Sequence, residues 1–243
     1  MVDHEGEGRE GAVMSVTLLD CEQRSPEWVA ARLGRLTGTG AMCIWSGWTV
    51  KEGRKKGSES VARRDLRLAL SCERITGESQ EEEFKLPGYM QRGIDKEQDA
   101  FDAYELLTGR AIRRVGFVSH GDLMIGCSPD GLVGDMEGGV ELKCPKSATH
   151  VGYIRDALSC RFGIPEDYVP QMRHNLYVTG AAWWDFVSFD DRLPGALGLY
   201  VRRLHRMEAD LPAYDAETRA FLLEVEKECA GLMELMSEQA EVA

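Results

Sequence analysis

The sequence predicts an α/β or α+β fold. Three observations predict it. Apolar residues recur at helical spacing through the first stretch of the chain. From residue 111 the pattern switches to short apolar runs broken by Gly, Asp and Pro, as strands require. Helix and strand patterns then alternate before a long acidic amphipathic run near the end.

Each element has a local reason. Residues 1–15 are Gly, Glu and Arg with little to bury, and read as a disordered tail ahead of one domain, 16–243. Ser25-Pro26-Glu27 opens a helix: a hydroxyl cap, a proline suited to the first turn, and an acid at the positive end of the dipole. Trp28, Val29, Ala31 and Leu33 form its apolar face, and Gly34 ends it. Thr37-Gly38-Thr39-Gly40 is a small-residue turn into a second helix at Ala41. Residues 51–60 are a polar, basic loop. Helices are predicted over 61–76, with Leu66, Leu70, Cys72 and Ile75 apolar, and over 91–107, with Ile94, Ala100, Phe101 and Tyr104 inward and Gly109 as the stop. Strands are predicted over 111–118, 123–127, 131–133 and 140–143. Helices follow over 149–159 and 168–177, strands over 183–189 and 199–203, and an acidic helix over 213–236. Of Trp183 and Trp184, one is expected in the core and the other at an interface.

The 243 residues are 43% hydrophobic and 29% charged, an ordinary globular composition. No apolar run reaches the ~18 residues of a membrane-spanning helix. The N-terminus lacks the apolar core of a secretory signal, so the cytoplasm is the expected compartment. The seven cysteines are odd in number and contain no CxxC, which points to reduced structural thiols and away from zinc ribbons and iron–sulfur clusters. Net charge is −12 but unevenly spread. Residues 207–243 carry ten acids and two bases, while residues 51–67 carry seven bases and three acids. A basic surface for nucleic acid is therefore compatible with an acidic chain.

The chemistry concentrates in SPDGLVGDMEGGVELK, Ser128 onward. Pro129 and Gly131 set Asp130 in a turn at a strand end. Glu141 and Lys143 stand two apart on a strand and share a face, while Leu142 points to the core. A hairpin around residues 134–139 brings Asp130 and Glu141 together with a lysine beside them. Carboxylate oxygens of this kind suit Mg²⁺ or Mn²⁺, and the lysine suits orienting a water for in-line attack on phosphorus. On these residues alone, a surface hairpin with a solvated ion pair is the commoner reading of such a pattern.

Four blocks in order, SPEWVAARLGRLTGT, RGIDKEQDAFDAYE, SPDGLVGDMEGGVELKCP and YVPQMRHNLYVTGAAWWDFVSFD, resemble the phage lambda exonuclease family of viral recombination nucleases, a branch of the PD-(D/E)xK superfamily. The resemblance runs from about Ser25 to Asp190. It implies a restriction-endonuclease-like core, a central mixed sheet flanked by helices. It implies that Asp130, Glu141, the Leu142 carbonyl and Glu97 hold two magnesium ions, with manganese able to substitute, and that Lys143 is the catalytic lysine. It further implies that Arg32, Thr39, Ser128 and Gln171 bind a terminal 5′-phosphate, which suits an arginine fork, hydroxyls and an amide. Met90 falls where the family can place an apolar wedge, although a helical Met also reads as core packing. Lys51, Arg54, Lys55 and Lys56 read equally as duplex contacts or as a solvated loop. The arginine that the family places soon after the catalytic lysine is absent from Ser147-Ala148-Thr149.

By resemblance, the activity is 5′-to-3′ degradation of one strand of linear double-stranded DNA, leaving 3′ overhangs. A homotrimeric ring around DNA, a single-strand annealing partner and a bacterial host's cytoplasm, in a phage or prophage setting, are implied with it. Two alternatives stay open on the residues alone: an endonuclease sharing the metal site, and a non-catalytic module that binds DNA ends.

Overall fold

The computed structural model describes residues 15–45, 59–80, 93 and 95–242. The elements run β1 Val16–Leu19, α1 Pro26–Arg32, α2 Ala41–Trp45, α3 Val61–Thr76, α4 Glu97–Thr108, β2 Ile112–Arg113, β3 Phe117–His120, β4 Gly126–Cys127, β5 Gly131–Val133, β6 Gly138–Lys143, α5 Ser147–Asp156, α6 Val169–Thr179, β7 Trp183–Phe189, β8 Leu199–His205 and α7 Leu211–Val242. The strands form two sheets, ordered β1-β3-β4 and β2-β5-β6-β7-β8. In the larger sheet β6 and β7 are parallel and the other pairings antiparallel, so the sheet is mixed, as expected.

Local chemistry sets the helix boundaries. Ser25 and Ser60 accept hydrogen bonds from the backbones of Trp28 and Arg63, each at 3.2 Å, and cap α1 and α3. Gly109 ends α4 at φ 68°, a conformation that favours glycine.

Strand β7 divides the core. Trp184 and Phe186 join Met172, Leu176, Tyr214 and Phe221 on one face of the sheet. Trp183 and Val187 join Ala100, Phe101, Val140 and Leu142 on the other. Both tryptophans are therefore core residues, which corrects the assignment of one to an interface. Their rings explain the paired glycines opposite. Gly138 and Gly139 are the register partners of Trp183 and Trp184. A Cβ on either glycine would stand 2.2 or 2.3 Å from the indole, so only glycine fits.

The predicted strand over 111–118 divides at Gly116, where a Cβ would meet the Cys21 backbone at 2.3 Å. Its halves, β2 and β3, go to different sheets. Strand β1 went unpredicted. It is four residues long and exists through pairing with β3, a hundred positions away. Helix α6 is buried at every residue except the half-buried Gln171 and packs against β3, β4 and β7, which joins the two sheets.

The acidic run extends to Val242 as α7 and does not simply face solvent. Its Glu224 receives both ends of the Arg63 guanidinium, at 2.6 and 3.0 Å, and its Glu228 pairs with Arg67. Two of the seven bases in 51–67 are thus spent inside the molecule. Residues 1–14, the remainder of the expected tail, lie outside the described residues, as does the loop at 51–58. None of the seven cysteines is in a disulfide. Among the described residues no helix is long and apolar enough to cross a membrane.

Candidate active site

Strand β5 begins at Gly131, opposite Val140, while β6 continues to Lys143. One more step of that register sets Asp130 opposite Glu141. There a side chain replaces the missing strand: the Leu142 N–H donates to Asp130 Oδ2 at 2.6 Å. The bond satisfies a strand-end donor and anchors the carboxylate beside β6.

Glu141 is 1% exposed. Its Oε1 accepts from Lys143 Nζ at 2.5 Å and its Oε2 from Gln171 Nε2 at 2.8 Å. Lys143 Nζ also lies 3.7 Å from Asp130 Oδ2, so one ammonium bridges two carboxylates. Leu142 points to the opposite face, among Phe101, Val140 and Val187. The arrangement of the hairpin and the two faces of β6 are as expected.

Charge is out of balance here. Burial raises the Glu141 carboxyl above its ordinary range, and the neighbouring Asp130 charge adds to this, against Lys143 and Gln171. Burial works against the Lys143 ammonium, but Glu141 and Asp130 more than offset it and hold it above its usual range. Glu97, the first residue of α4, is also raised, by burial and then by Asp130. Its Oε2 lies 3.8 Å from Arg114. Glu97, Arg114 and Asp130 line one cleft of about 650 Å³. Asp130 is thus the shared member, against Lys143 on one side and coupled to Glu97 on the other.

The donor set fits a hard divalent cation. Asp130 lies within the field of both Glu141 and Glu97, and those two carry a raised proton affinity that a cation would relieve. Among the described residues no three His, Cys, Asp or Glu side chains are gathered closely enough to enclose an ion. Cys127 is buried with its thiol pushed up, and Cys144 turns to the Lys96 carbonyl at 3.7 Å, so the nearby sulfurs are packing groups.

The four expected phosphate residues form a chain. Arg32 and Thr39 line one pocket of about 130 Å³ with Arg35 and Thr37. The Arg32 guanidinium stacks over the Trp28 ring at 4.1 Å. Trp28 Nε1 donates to Ser128 Oγ at 2.8 Å. Gln171 packs on Gly38, beside Thr39, with its Cγ 3.1 Å from where a Cβ would stand. Its amide N–H is directed to Glu141. The structure brings Arg32 and Thr39 together, ties Ser128 to Arg32 through Trp28, and sets Gln171 against the Glu141 carboxylate. In the sequence Trp28 stands only as one residue of an apolar helix face. Its spacing of four from Arg32 on one helix face was the available clue. Met90, Lys51, Arg54, Lys55 and Lys56 lie outside the described residues.

A family model described as the YqaJ-like viral recombinase domain matches residues 27–182, which hold every assembled site residue. The chain belongs to that family. It is the family of lambda exonuclease, which the four sequence blocks resemble. Among solved structures, an alkaline exonuclease (LHK-Exo) from Laribacter hongkongensis is 33% identical, with 90% of this chain and 100% of that chain covered and a TM-score of 0.71. LHK-Exo in complex with dAMP gives 34% identity, the same coverage and a TM-score of 0.72. A phage related exonuclease from Haemophilus somnus 129PT shares the fold, at 13% identity, a TM-score of 0.59 and coverage of 82% and 96%. Among curated proteins none matches this chain closely enough to count as a relative.

Proposed function

We propose that this chain is a metal-dependent exodeoxyribonuclease that degrades the 5′-ended strand of linear double-stranded DNA. One observation carries the reading. Lys143 bridges Glu141 and Asp130 at the end of β6, and Gln171 links that cluster to the turn bearing Thr39, beside Arg32. A hydrolytic centre next to an arginine-lined pocket suits a reaction that starts from a phosphorylated end.

Asp130, Glu141, Glu97 and the Leu142 carbonyl would hold the magnesium ions. When bound, these ions, or manganese in their place, supply Lewis acidity at the phosphoryl group and ease the deprotonation of water. The chain's own residues do the positioning. Arg32, Thr39 and Ser128 hold the terminal 5′-phosphate, which sets the next phosphodiester at Lys143. Lys143 donates hydrogen bonds that orient the attacking water and offset charge on the phosphorus oxygens. The water oxygen bonds to phosphorus and the P–O3′ bond breaks. A nucleoside 5′-monophosphate leaves, and the shortened strand ends in a new 5′-phosphate. That end is again a ligand for the Arg32 pocket, so each turnover regenerates the recognition element. The dAMP of the LHK-Exo complex belongs to this product class.

The same proposal includes a 3′ overhang for recombination, a homotrimer enclosing the duplex, a single-strand annealing partner and action in a bacterial cytoplasm. Family membership supports these points.

The test compares 5′-phosphorylated linear duplex, 5′-hydroxyl linear duplex and closed circular duplex, with magnesium. Digestion of the phosphorylated linear DNA is expected, with the circle intact and Lys143→Ala inactive but still end-binding. Arg32→Ala is expected to lose about 100-fold on phosphorylated ends and far less on hydroxyl ends, the scale of one charge-assisted bidentate contact. Cutting of the circle would establish an endonuclease instead. End binding with no digestion under any divalent ion would establish a non-catalytic module.

A further inference from the structure

Lys143 has a third contact besides its two carboxylates. Its Nζ lies 5.5 Å from the centroid of the Tyr168 ring, within cation–π range. Tyr168 immediately precedes α6, and its backbone carbonyl accepts the Met172 N–H at 3.0 Å, so its position is fixed by that helix. Its hydroxyl lies 2.9 Å from the hydroxyl of Tyr153 on α5. Both rings pack on Phe186, at 5.1 Å for Tyr168 and 5.6 Å for Tyr153. Phe186 is the register partner of Glu141 in the parallel β6–β7 pair. Parallel partners share a face, so the three aromatics stand on the face that carries Glu141 and Lys143.

The three contacts to Lys143 differ in kind. Glu141 and Asp130 are also the candidate ligand oxygens, so a bound cation draws on them. The face of Tyr168 is neutral, and a hard cation in water has no comparable use for it. We propose that Tyr168, braced by Tyr153 and Phe186, is a positioning residue that keeps the Lys143 ammonium at the reacting phosphate while the carboxylates serve the cation. The ring is the agent, and the hydroxyl pair only aims it. This inference rests on the nuclease reading of the same site.

The test separates ring from hydroxyl. Tyr168→Phe keeps the ring and loses the bond to Tyr153. Tyr168→Leu removes the ring, and Tyr168→Met does the same with a flexible side chain, which covers a failure of the leucine variant to fold. Kinetics on 5′-phosphorylated duplex are read as separate kcat and KM, beside the Tm of each variant. Loss of the ring is expected to lower kcat about 30-fold, the size of one desolvated cation–π contact, with KM within about twofold. Tyr168→Phe is expected to restore kcat to within about threefold. A second readout needs no activity: ε-¹³C-lysine spectra of the metal-free protein, with Lys143→Arg to assign the signal. The Lys143 ε resonance should show a ring-current shift in the native and Phe proteins and lose it in the Leu or Met protein. An unchanged kcat without the ring, an equal loss in Tyr168→Phe, or an unshifted Lys143 signal in the native protein would each overturn the proposal. If the native protein digests no DNA, the nuclease reading fails, and the spectra alone still decide whether the ring holds the lysine.

Discussion

Two clusters in this molecule set basic side chains against carboxylates, and they are balanced in opposite ways. Along the seam between α3 and α7, Arg63, Arg67 and Lys227 line one groove with Glu59, Glu224 and Glu228, cation for anion. Burial works against the Glu59 charge, but Arg67 and Arg63 more than offset it and hold the carboxyl below its ordinary value. At β6 three carboxylates share Lys143 and the more distant Arg114, and both Glu141 and Glu97 are held above their ordinary values. The direction of the displacement separates the two. A carboxylate made more acidic by its partners stabilises the fold. One made less acidic is a cost that the fold carries, and such sites are where chemistry is expected.

Glu141→Gln breaks the contrast most sharply. It removes one charge, keeps the shape and leaves an acceptor for Lys143. Nuclease activity is expected to fall by about 1,000-fold or more, since a ligand oxygen and the orientation of Lys143 are both lost. Stability should change by no more than about 1 kcal/mol, because the charge removed is buried and only partly compensated. Steady-state kinetics and urea unfolding on the same preparation check both parts. Unfolding that tracks the loss of activity would place Glu141 with the structural carboxylates.

Arg63→Ala is the mirror experiment. The guanidinium is 1% exposed and binds Glu224 at two points and Glu59 at one. Its removal takes both of these hydrogen bonds from Glu224 and leaves Glu59 with Arg67 alone, beside the apolar ring of Phe221. A buried pair broken in this way costs about 3–5 kcal/mol. The glutamates are 25% and 37% exposed, which reduces the expected loss to about 3 kcal/mol. Activity of the folded fraction should stay within about twofold. A large fall in kcat at unchanged stability would mean that the seam takes part in the reaction.

How much of this was legible depends on the range of the interactions. The hairpin bearing Asp130, Glu141 and Lys143 is local in sequence, and strand alternation alone placed Leu142 opposite its neighbours. Helices with a serine cap and a terminal glycine were read nearly to the residue. Strand β1 was not, because its only reason to be extended is β3. Nor was the fate of Arg63, which looks like part of a basic stretch until α7 arrives from 161 positions away. The pairing of Trp28 with Ser128 and of Lys143 with Tyr168 is likewise tertiary. Residue types announced the candidate centre, and packing decided its supports.

Acid should sharpen the contrast from a third position. His174 on α6 lies within hydrogen-bond distance of the Gly126 carbonyl through Nε2, at 2.9 Å, and of the Tyr214 hydroxyl through Nδ1, at 2.7 Å. A neutral ring that donates at Nε2 and accepts at Nδ1 satisfies both. Burial pushes its pKa down to about 4, from an ordinary 6.5. The folded state therefore binds this proton less readily than the unfolded chain. Its contribution is complete above pH 6.5 and is lost progressively as pH falls toward 4. The full loss is about 3 kcal/mol. His174→Gln should flatten the decline of Tm between those limits, and an unchanged slope would assign the acid sensitivity to other groups.

The smallest expected effect lies one residue from one of the largest. Arg64 follows Arg63 on α3 and also pairs with a carboxylate, Asp65, at 2.8 Å. Both partners are more than half exposed, at 53% and 56%. The bond length resembles those of Arg63, yet solvent screens the pair and its side chains lose freedom to form it. Arg64→Ala should therefore shift stability by less than about 0.5 kcal/mol, against about 3 for its neighbour. Chemical denaturation of the two variants side by side measures the ratio. Comparable losses would mean that helix α3 depends on its total charge, and that the match to α7 is not what stabilises the seam.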